Sequence, residues 1–219
     1  MALPWALAVL SLLPLLSAQS PECANFTAKP ITNVTLDWLS GKWFYVAGIF
    51  RHPLHNQSAR SVPSAFAYFA PNHTEDKIYT RVYQTVGDRC IYNSSQVVVH
   101  RKNGTMFTKA LTPGPHLTQR FSPPENDTEY HTHLLLSKNP RTFMLSFFPE
   151  DKQKMGIAIY SDKPHFSEEQ LNEFHEVIEC MGMHKSEIIL SDEKKDQCGP
   201  LEKQHEEERK KEQEGAKEE

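Results

Sequence analysis

Features that mark many enzymes, membrane proteins and nucleic-acid-binding proteins are missing from this sequence. Its 24 Lys and Arg residues nearly balance 28 Asp and Glu residues, and this lack of a basic excess argues against nucleic acid as a partner. It has no Gly-x-Ser-x-Gly motif and no glycine-rich phosphate loop, which argues against the common serine hydrolases and nucleotide-binding enzymes. After residue 18, no apolar run approaches the ~20 residues that a membrane-spanning helix needs. Aromatic residues make up 10% of the chain, enough for the packed core of a globular protein.

The first eighteen residues form a segment of their own. The stretch from Leu7 to Leu16 is almost wholly aliphatic, no charged side chain occurs before Glu22, and small residues follow at Ser17-Ala18. A short apolar run that ends in small residues is typical of a secretory signal peptide. We therefore predict a signal peptide over residues 1–18 and a secreted, extracellular protein; the alternative is a buried N-terminal helix.

Two further features agree with export. Seven Asn-x-Ser/Thr sequons without a central proline predict a surface that carries N-linked glycans. They lie at Asn25, Asn33, Asn56, Asn72, Asn93, Asn103 and Asn126. The four cysteines are even in number and far apart, and in an oxidising compartment they should form two disulfides. Spacing alone leaves three connectivities open among Cys23, Cys90, Cys180 and Cys198.

Short β-strands separated by turns make up most of the chain. The segments are rich in aromatic and β-branched residues, and Asn103-Gly104 is the strongest signal for a two-residue hairpin turn. Sequential strands with short turns favour an antiparallel meander, and eight of them can close into an up-and-down barrel. The predicted strands are 42–50, 65–70, 78–86, 91–101, 105–111, 131–136, 142–148 and 154–160.

One amphipathic helix follows the strands. Ser167 and Gln170 have capping-box spacing, and an apolar stripe at helical spacing runs from Leu171 to Met181. We predict that this stripe packs against the outside of the sheet. Glu173 is expected on the opposite face, together with other polar residues of the helix.

The last part of the chain is rich in Glu and Lys. Residues 201–219 are either a frayed charged helix or a disordered tail, and we expect a solvated terminus. The globular domain is therefore expected to span residues 19–200.

A motif at the first predicted strand connects the chain to a known family. Gly41-Lys42-Trp43 follows a predicted helical turn at 36–39 and resembles the Gly-x-Trp signature of the lipocalins. With eight strands, a late helix and a signal peptide beside it, the similarity covers essentially the whole mature chain. The resemblance implies an all-β fold, an eight-stranded antiparallel barrel with one C-terminal α-helix packed outside.

Three longer stretches, 41–47, 88–93 and 200–206, resemble the heavily glycosylated plasma members of that family. This implies carriage of small lipophilic ligands such as neutral steroids and drugs, sialylated N-glycans, and a part in the acute-phase response. It also implies the pairings Cys23–Cys180 and Cys90–Cys198. We expect a monomer without a cofactor.

Strand periodicity and the resemblance together suggest the lining of a binding cavity. Residues two apart share one face of a strand, and the resemblance places particular faces inside the barrel. An eight-stranded barrel is just wide enough for one small ligand, and the alternative is a solid core. The residues predicted to bind the ligand are Phe50, Phe69, Val82, Gln84, Met106, Thr108, Phe143, Leu145, Phe147, Ala158 and Tyr160.

The predicted cavity is close to neutral. Leu54, Val82 and Thr108 stand where the resemblance leads us to expect ionisable residues of the family pocket. Gln84, Thr108 and Tyr160 would then be its few polar groups, which is the usual composition of a small-molecule site.

Catalysis and metal binding have weaker support. A lipocalin with isomerase activity would need a free thiol in its pocket, and all four cysteines are expected to be paired. His131 and His133 share a strand face, but no third metal ligand is identifiable, and His52 and His55 are interpreted as loop residues. We expect a binding protein rather than an enzyme. The alternative function is a glycan-presenting protein that modulates immune cells through cell-surface partners, with the barrel as its scaffold.

Overall fold

The computed structural model describes Cys23, residues 26–109 and residues 129–215. The predicted signal peptide, the sequons at Asn25 and Asn126, and the last two residues of the predicted strand 105–111 lie outside these ranges. None of the helices within them is both long and apolar enough to cross a membrane. The helices are α1 (Asn33–Leu39), α2 (Pro53–Ser61), α3 (Glu168–Cys180) and α4 (Gly199–Gly215). The strands are β1 (Gly41–Phe50), β2 (Ser64–Asn72), β3 (Lys77–Val86), β4 (Arg89–His100), β5 (Thr105–Lys109), β6 (Glu129–Leu136), β7 (Thr142–Phe147), β8 (Gly156–Ser161) and β9 (Ile189–Leu190).

Eight antiparallel strands close into a barrel within the described ranges. Neighbours in sequence are hydrogen-bonded from β2 to β8, β8 pairs with β1, and β1 pairs with β2 to complete the circle. The short strand β9 pairs with β1 outside this circle. The predicted up-and-down barrel is confirmed, because each strand pairs with the strands before and after it in the chain and β8 pairs with β1.

A β-bulge in β1 changes which residues of the strand point inwards. The register of β1 with β8 shifts between Tyr45 and Ala47. Before the shift, Trp43 and Tyr45 face the barrel interior. After it, Ala47 and Ile49 pack on the outside, and Phe50 faces the interior. The extra residue of the bulge therefore gives β1 two inward-facing segments in different phase.

Helix α1 closes one end of the barrel. Leu36 and Leu39 are fully buried, and Trp43 Nε1 donates a hydrogen bond to the Leu39 carbonyl at 2.8 Å. The Trp43 ring lies edge-on to Phe143 at 5.0 Å between centroids, and Trp38 lies 5.1 Å from Trp43. Edge-to-face aromatic pairs of this kind add to the free energy gained from burial. This closed end is a solid apolar core.

Helix α3 covers the outside of the sheet, as predicted. Its capping box forms between Ser167 and Gln170, whose side chains each accept a hydrogen bond from the other residue's backbone N–H. Phe174, Val177 and Ile178 are fully buried against apolar side chains of β1, β7 and β8. Burial of this stripe holds the helix in place.

The position predicted for Glu173 is wrong. Instead of lying on the solvent face, Glu173 is buried, and its carboxylate accepts hydrogen bonds from the Ser137 hydroxyl and the Lys138 backbone N–H. The turn between β6 and β7 packs over this part of α3 and brings those donors to the carboxylate. Helical periodicity cannot show where a distant turn will supply hydrogen-bond donors.

The two disulfides pair as the resemblance implies. Cys23 bonds to Cys180 and joins the N-terminal segment to the end of α3. Cys90 bonds to Cys198 and joins β4 to the start of α4. The second bond closes a loop with a sequence separation of 108 residues, which in the chain-entropy picture restricts the unfolded chain strongly.

The expectation of a solvated terminus is wrong for the first turns of α4. Glu202 accepts hydrogen bonds from Lys42 Nζ and from the Tyr68 hydroxyl, both at 2.5 Å. His205 Nδ1 lies 3.0 Å from the hydroxyl of Tyr83, a fully buried residue. The charged segment thus forms a helix that covers aromatic side chains on the outer wall of the barrel.

The hairpin at Asn103-Gly104 is also longer than the predicted two-residue turn. His100 pairs with Thr105, so four residues connect β4 to β5. Gly104 has φ +68°, and a Cβ there would collide with the backbone of Lys29. The N-terminal segment that crosses this turn explains why glycine is needed.

We expect substitution of Trp43 by Ala to lower the free energy of unfolding by about 3–5 kcal/mol, the usual loss for a buried aromatic side chain. Urea denaturation followed by circular dichroism measures the change. Val34→Ala, on the exposed face of the same end with a side chain 77% exposed, is the matched control and should change stability by less than about 0.5 kcal/mol. Equal effects of the two substitutions would contradict a packed closed end.

Candidate functional site

The other end of the barrel opens into a cavity of about 420 Å³. All eight barrel strands and helix α2 contribute to its lining. Ten of the eleven predicted residues are in that lining: Phe50, Phe69, Val82, Gln84, Met106, Thr108, Leu145, Phe147, Ala158 and Tyr160. The period of two therefore identifies most of the inward-facing positions.

Two predicted pocket positions lie elsewhere. Phe143 points inwards but belongs to the closed end, where its ring stacks on that of Tyr160 with centroids 5.0 Å apart. It supports the floor of the cavity without lining it. Leu54 is 56% exposed on α2 and does not line the cavity. The interpretation of Leu54 as a substitute for a charged pocket residue is therefore wrong.

Several residues that line the cavity were not predicted from strand periodicity. His55, Ser58 and Ala59 come from α2, a helix that the sequence was not expected to form; His52 and His55 were interpreted as loop residues. Tyr45 was missed although Phe50 was predicted, because the two positions differ in phase and the bulge in β1 brings both to the cavity. Ala65, Ala67 and Thr80 share strand faces with predicted residues and could have been found by extending the alternation. Ser95 and Val97 of β4 and Thr132 of β6 lie on strands for which no inward face was predicted.

Three of the hydroxyl groups around the cavity, those of Thr80, Ser95 and Thr132, have partners in the barrel wall. The Thr80 and Ser95 hydroxyls lie 2.6 Å apart across β3 and β4, and the Thr132 hydroxyl donates to the Met106 carbonyl at 3.1 Å. These groups are satisfied without a ligand. They add little polarity to the inner surface, because their hydrogen bonds are internal to the wall.

The Tyr45 hydroxyl, by contrast, lacks such a partner: it is buried and, among the described residues, has no hydrogen-bond partner. Burial, with a smaller contribution from Tyr160, raises the pKa of Tyr45 well above its ordinary value. Burial likewise raises the pKa of Tyr160 to about 12. Both hydroxyls are therefore neutral at physiological pH, and the Tyr45 hydroxyl is a buried donor without a partner among the described residues.

The described lining carries no Asp, Glu, Lys or Arg side chain. His55 is its one imidazole, and burial lowers the pKa of His55, with further lowering by neighbouring His52 and Lys154. The His52 and His55 ring centroids are 4.6 Å apart, and the His55 ring stacks on Phe148. The cavity surface described here is accordingly uncharged at neutral pH.

The protein has no free cysteine thiol that could act as a nucleophile. All four cysteines of the chain are in disulfides. His131 and His133 lie on the outer wall of the barrel rather than in the cavity, and the His131 ring packs edge-on to Phe107. The arrangement is suited to holding an apolar molecule.

Comparison with known proteins places this geometry in a family. A model of the lipocalin / cytosolic fatty-acid binding protein family matches residues 40–195. The chain is 54% identical over 217 residues to alpha-1-acid glycoprotein of Bos taurus, covering 99% of this chain and 100% of that protein. It is 50% identical to alpha-1-acid glycoprotein of Oryctolagus cuniculus, covering 97% of this chain and 98% of that protein.

Solved structures share the fold at much lower identity. Lipocalin 12 from rat epididymis superposes with a TM-score of 0.55 at 11% identity, covering 77% of this chain and 91% of that one. The siderocalin Ex-FABP superposes with a TM-score of 0.51 at 10% identity, covering 70% and 89%. At such low sequence identities, the similarity shows only that the proteins share the barrel fold.

We expect His55 to titrate below the ordinary histidine value of ~6.5, because its protonated form is poorly solvated and faces like charges. Removing one of those charges in Lys154→Met should raise the pKa of His55, measured by NMR titration of the imidazole. Lys163→Met, which removes a charge from an exposed position after β8, is the control and should leave the titration unchanged.

The same shift has a consequence for stability. Because folding lowers the pKa of His55, the unfolded chain binds this proton more tightly than the folded chain. Its contribution to stability is present above the unfolded value and is lost as the pH falls towards the folded one. An unchanged His55 pKa in Lys154→Met would contradict this account of the cavity mouth.

Proposed function

The chain belongs to the lipocalin family, in its alpha-1-acid glycoprotein group, and we propose that it is a secreted carrier of small lipophilic ligands such as neutral steroids and drugs. The observation that carries the proposal is the uncharged, mainly apolar cavity at the open end of the barrel. Its volume of about 420 Å³ falls within the range of ~300–1,000 Å³ typical of small-molecule sites.

Burial of apolar surface supplies most of the affinity in this proposal. Each buried apolar Å² contributes about 25 cal/mol, whereas a neutral hydrogen bond adds only ~1 kcal/mol net. Val82 and Thr108 present neutral side chains to the cavity, so a cationic ligand would lose its hydration without gaining an ion pair. Neutral lipophiles should therefore bind at least as well as amines of equal apolar area.

The Tyr45 hydroxyl orients the bound ligand in this proposal. This hydroxyl is covered by neighbouring atoms, so a ligand oxygen would receive its hydrogen bond after a small movement of the side chains around it. Ligands that carry a carbonyl or ether oxygen are then favoured over pure hydrocarbons, because they satisfy a buried donor that otherwise costs free energy.

Glycan presentation is the second candidate function. The sequons at Asn33, Asn72 and Asn103 lie at the closed end, away from the cavity, and Asn33 and Asn103 are exposed. Glycans there would extend from the end that has no part in ligand binding, free to meet cell-surface partners. Carriage and presentation can therefore reside at opposite ends of one barrel, with secretion and an acute-phase role common to both proposals.

The neutrality of the cavity can be tested by adding a charge. Val82→Glu should improve binding of a basic amine drug roughly tenfold, since opposite charges attract by up to about 4 kcal/mol near 4 Å at an effective dielectric constant of 20, before desolvation is subtracted. Val82→Gln is the neutral control of similar shape and should not. Fluorescence titration of the indoles with progesterone and with the amine measures both affinities. A tenfold or larger preference of the unmodified protein for the amine would contradict the proposal.

Removal of the Tyr45 hydroxyl should weaken ligand binding but slightly increase the stability of the ligand-free protein. Tyr45→Phe is expected to weaken binding of a ketosteroid about fivefold, the effect of one net hydrogen bond of ~1 kcal/mol. The same change should stabilise the ligand-free protein slightly, because it deletes a buried polar group that lacks a partner. Titration and thermal unfolding measure the two effects. A fivefold loss that also appears with a hydrocarbon ligand of equal size would speak for altered packing instead.

A further inference from the structure

Helix α2 lies across the open end of the barrel. It connects the end of β1 to the start of β2, and His55, Ser58 and Ala59 line the cavity. No residue of this nine-residue helix is buried. A helix held by so little apolar burial is expected to open locally at low cost in free energy.

The two ends of α2 are fixed while its middle is held by few contacts. Before it, the Arg51 guanidinium donates to the carbonyls of Lys152 and Gly182 at 2.9 and 2.7 Å. After it, the Pro63 carbonyl accepts from the Asp192 backbone N–H at 2.7 Å. The helix can therefore move at its centre without disturbing the strands on either side.

Asn56 ties the centre of α2 to the end of β1, beside the stack of the neighbouring His55 ring on Phe148. Its side-chain nitrogen Nδ2 donates to the Phe50 carbonyl at 3.1 Å, and its Oδ1 accepts from Arg60 Nε at 2.8 Å. The bond reaches the backbone of the residue whose ring lines the cavity and packs on Phe147. Asn56 thus couples the helix to the cavity wall.

The same nitrogen is the acceptor atom of a sequon, Asn56-Gln57-Ser58. Transfer of an oligosaccharide from a lipid diphosphate donor forms a bond between its first sugar carbon and Nδ2, removes one of the two amide hydrogens, and releases the diphosphate. The atom that holds the helix down would then carry a bulky group.

We infer that glycosylation of Asn56 controls access to the cavity: the glycan weakens the Asn56–Phe50 bond and loosens α2, so that ligands enter and leave faster. The inference rests on the proposed function, since it concerns the entry of ligands into the same cavity and their release from it. It names Asn56 because, unlike the sequon residues at the closed end, its side-chain nitrogen holds a helix that lines the cavity. Asn33 there uses its Oδ1 to accept from Arg101, at 2.7 Å, and lies far from α2.

The test compares two variants that differ in the glycan and keep Asn56. Ser58→Thr preserves the sequon, and Ser58→Ala abolishes it; both alter the same cavity residue. Dissociation of progesterone, followed by stopped-flow indole fluorescence, is expected to be roughly fivefold faster for Ser58→Thr, the effect of losing one net hydrogen bond. Hydrogen exchange of the α2 amides should be faster in the same variant.

Loss of a glycan elsewhere provides the control. Asn103→Gln removes the exposed sequon in the turn between β4 and β5 and should leave the dissociation rate at the wild-type value. Equal or slower dissociation from Ser58→Thr than from Ser58→Ala would overturn the inference, as would mass spectrometry that finds Asn56 unmodified in the secreted protein. Absence of progesterone binding in every variant would instead overturn the proposed function, and the inference with it.

Discussion

The bulge in β1 is the constraint on which the binding end of this barrel depends. Without it, strand alternation would turn either Tyr45 or Phe50 out of the cavity, because the two positions differ in phase. The pairing of β1 with β2 also ends at Tyr45, just before the register shift. Beyond that point the two strands no longer pair, and α2 spans the gap between them. One extra residue therefore allows both Tyr45 and Phe50 to line the cavity.

The described inner surface is uncharged, because its lining contains no Asp, Glu, Lys or Arg and its hydroxyl groups stay neutral. Thr80, Ser95 and Thr132 bond to wall atoms, and burial keeps the Tyr160 hydroxyl protonated. A charge placed there would have to be paired to be tolerated. On the outer wall, by contrast, Glu202 of α4 is paired with Lys42.

The sequence predicted the repetitive part of this architecture well. The eight strands, the amphipathic helix and the capping box at Ser167 follow from local sequence patterns. The choice of the ten cavity residues also needed the family resemblance, which says which strand faces point into the barrel. The features that escaped prediction depend on contacts between distant segments. Glu173 is buried by a turn 35 residues away, and α4 is held by strands that precede it by over a hundred residues. The bulge in β1 shows no glycine or proline signal between Tyr45 and Ala47.

Stability and function occupy different ends of the barrel for a physical reason. At the closed end, Trp43, Phe143 and the leucines of α1 exclude water completely, and a rearrangement there would expose a large apolar area at once. At the mouth, α2 buries no residue, so the free energy needed to move it is small compared with that of global unfolding. A cavity that must admit an apolar ligand needs such a weak element next to rigid walls, since a fully packed lid would have to break the core to open. The shortage of apolar residues in α2 is thus a condition for ligand exchange.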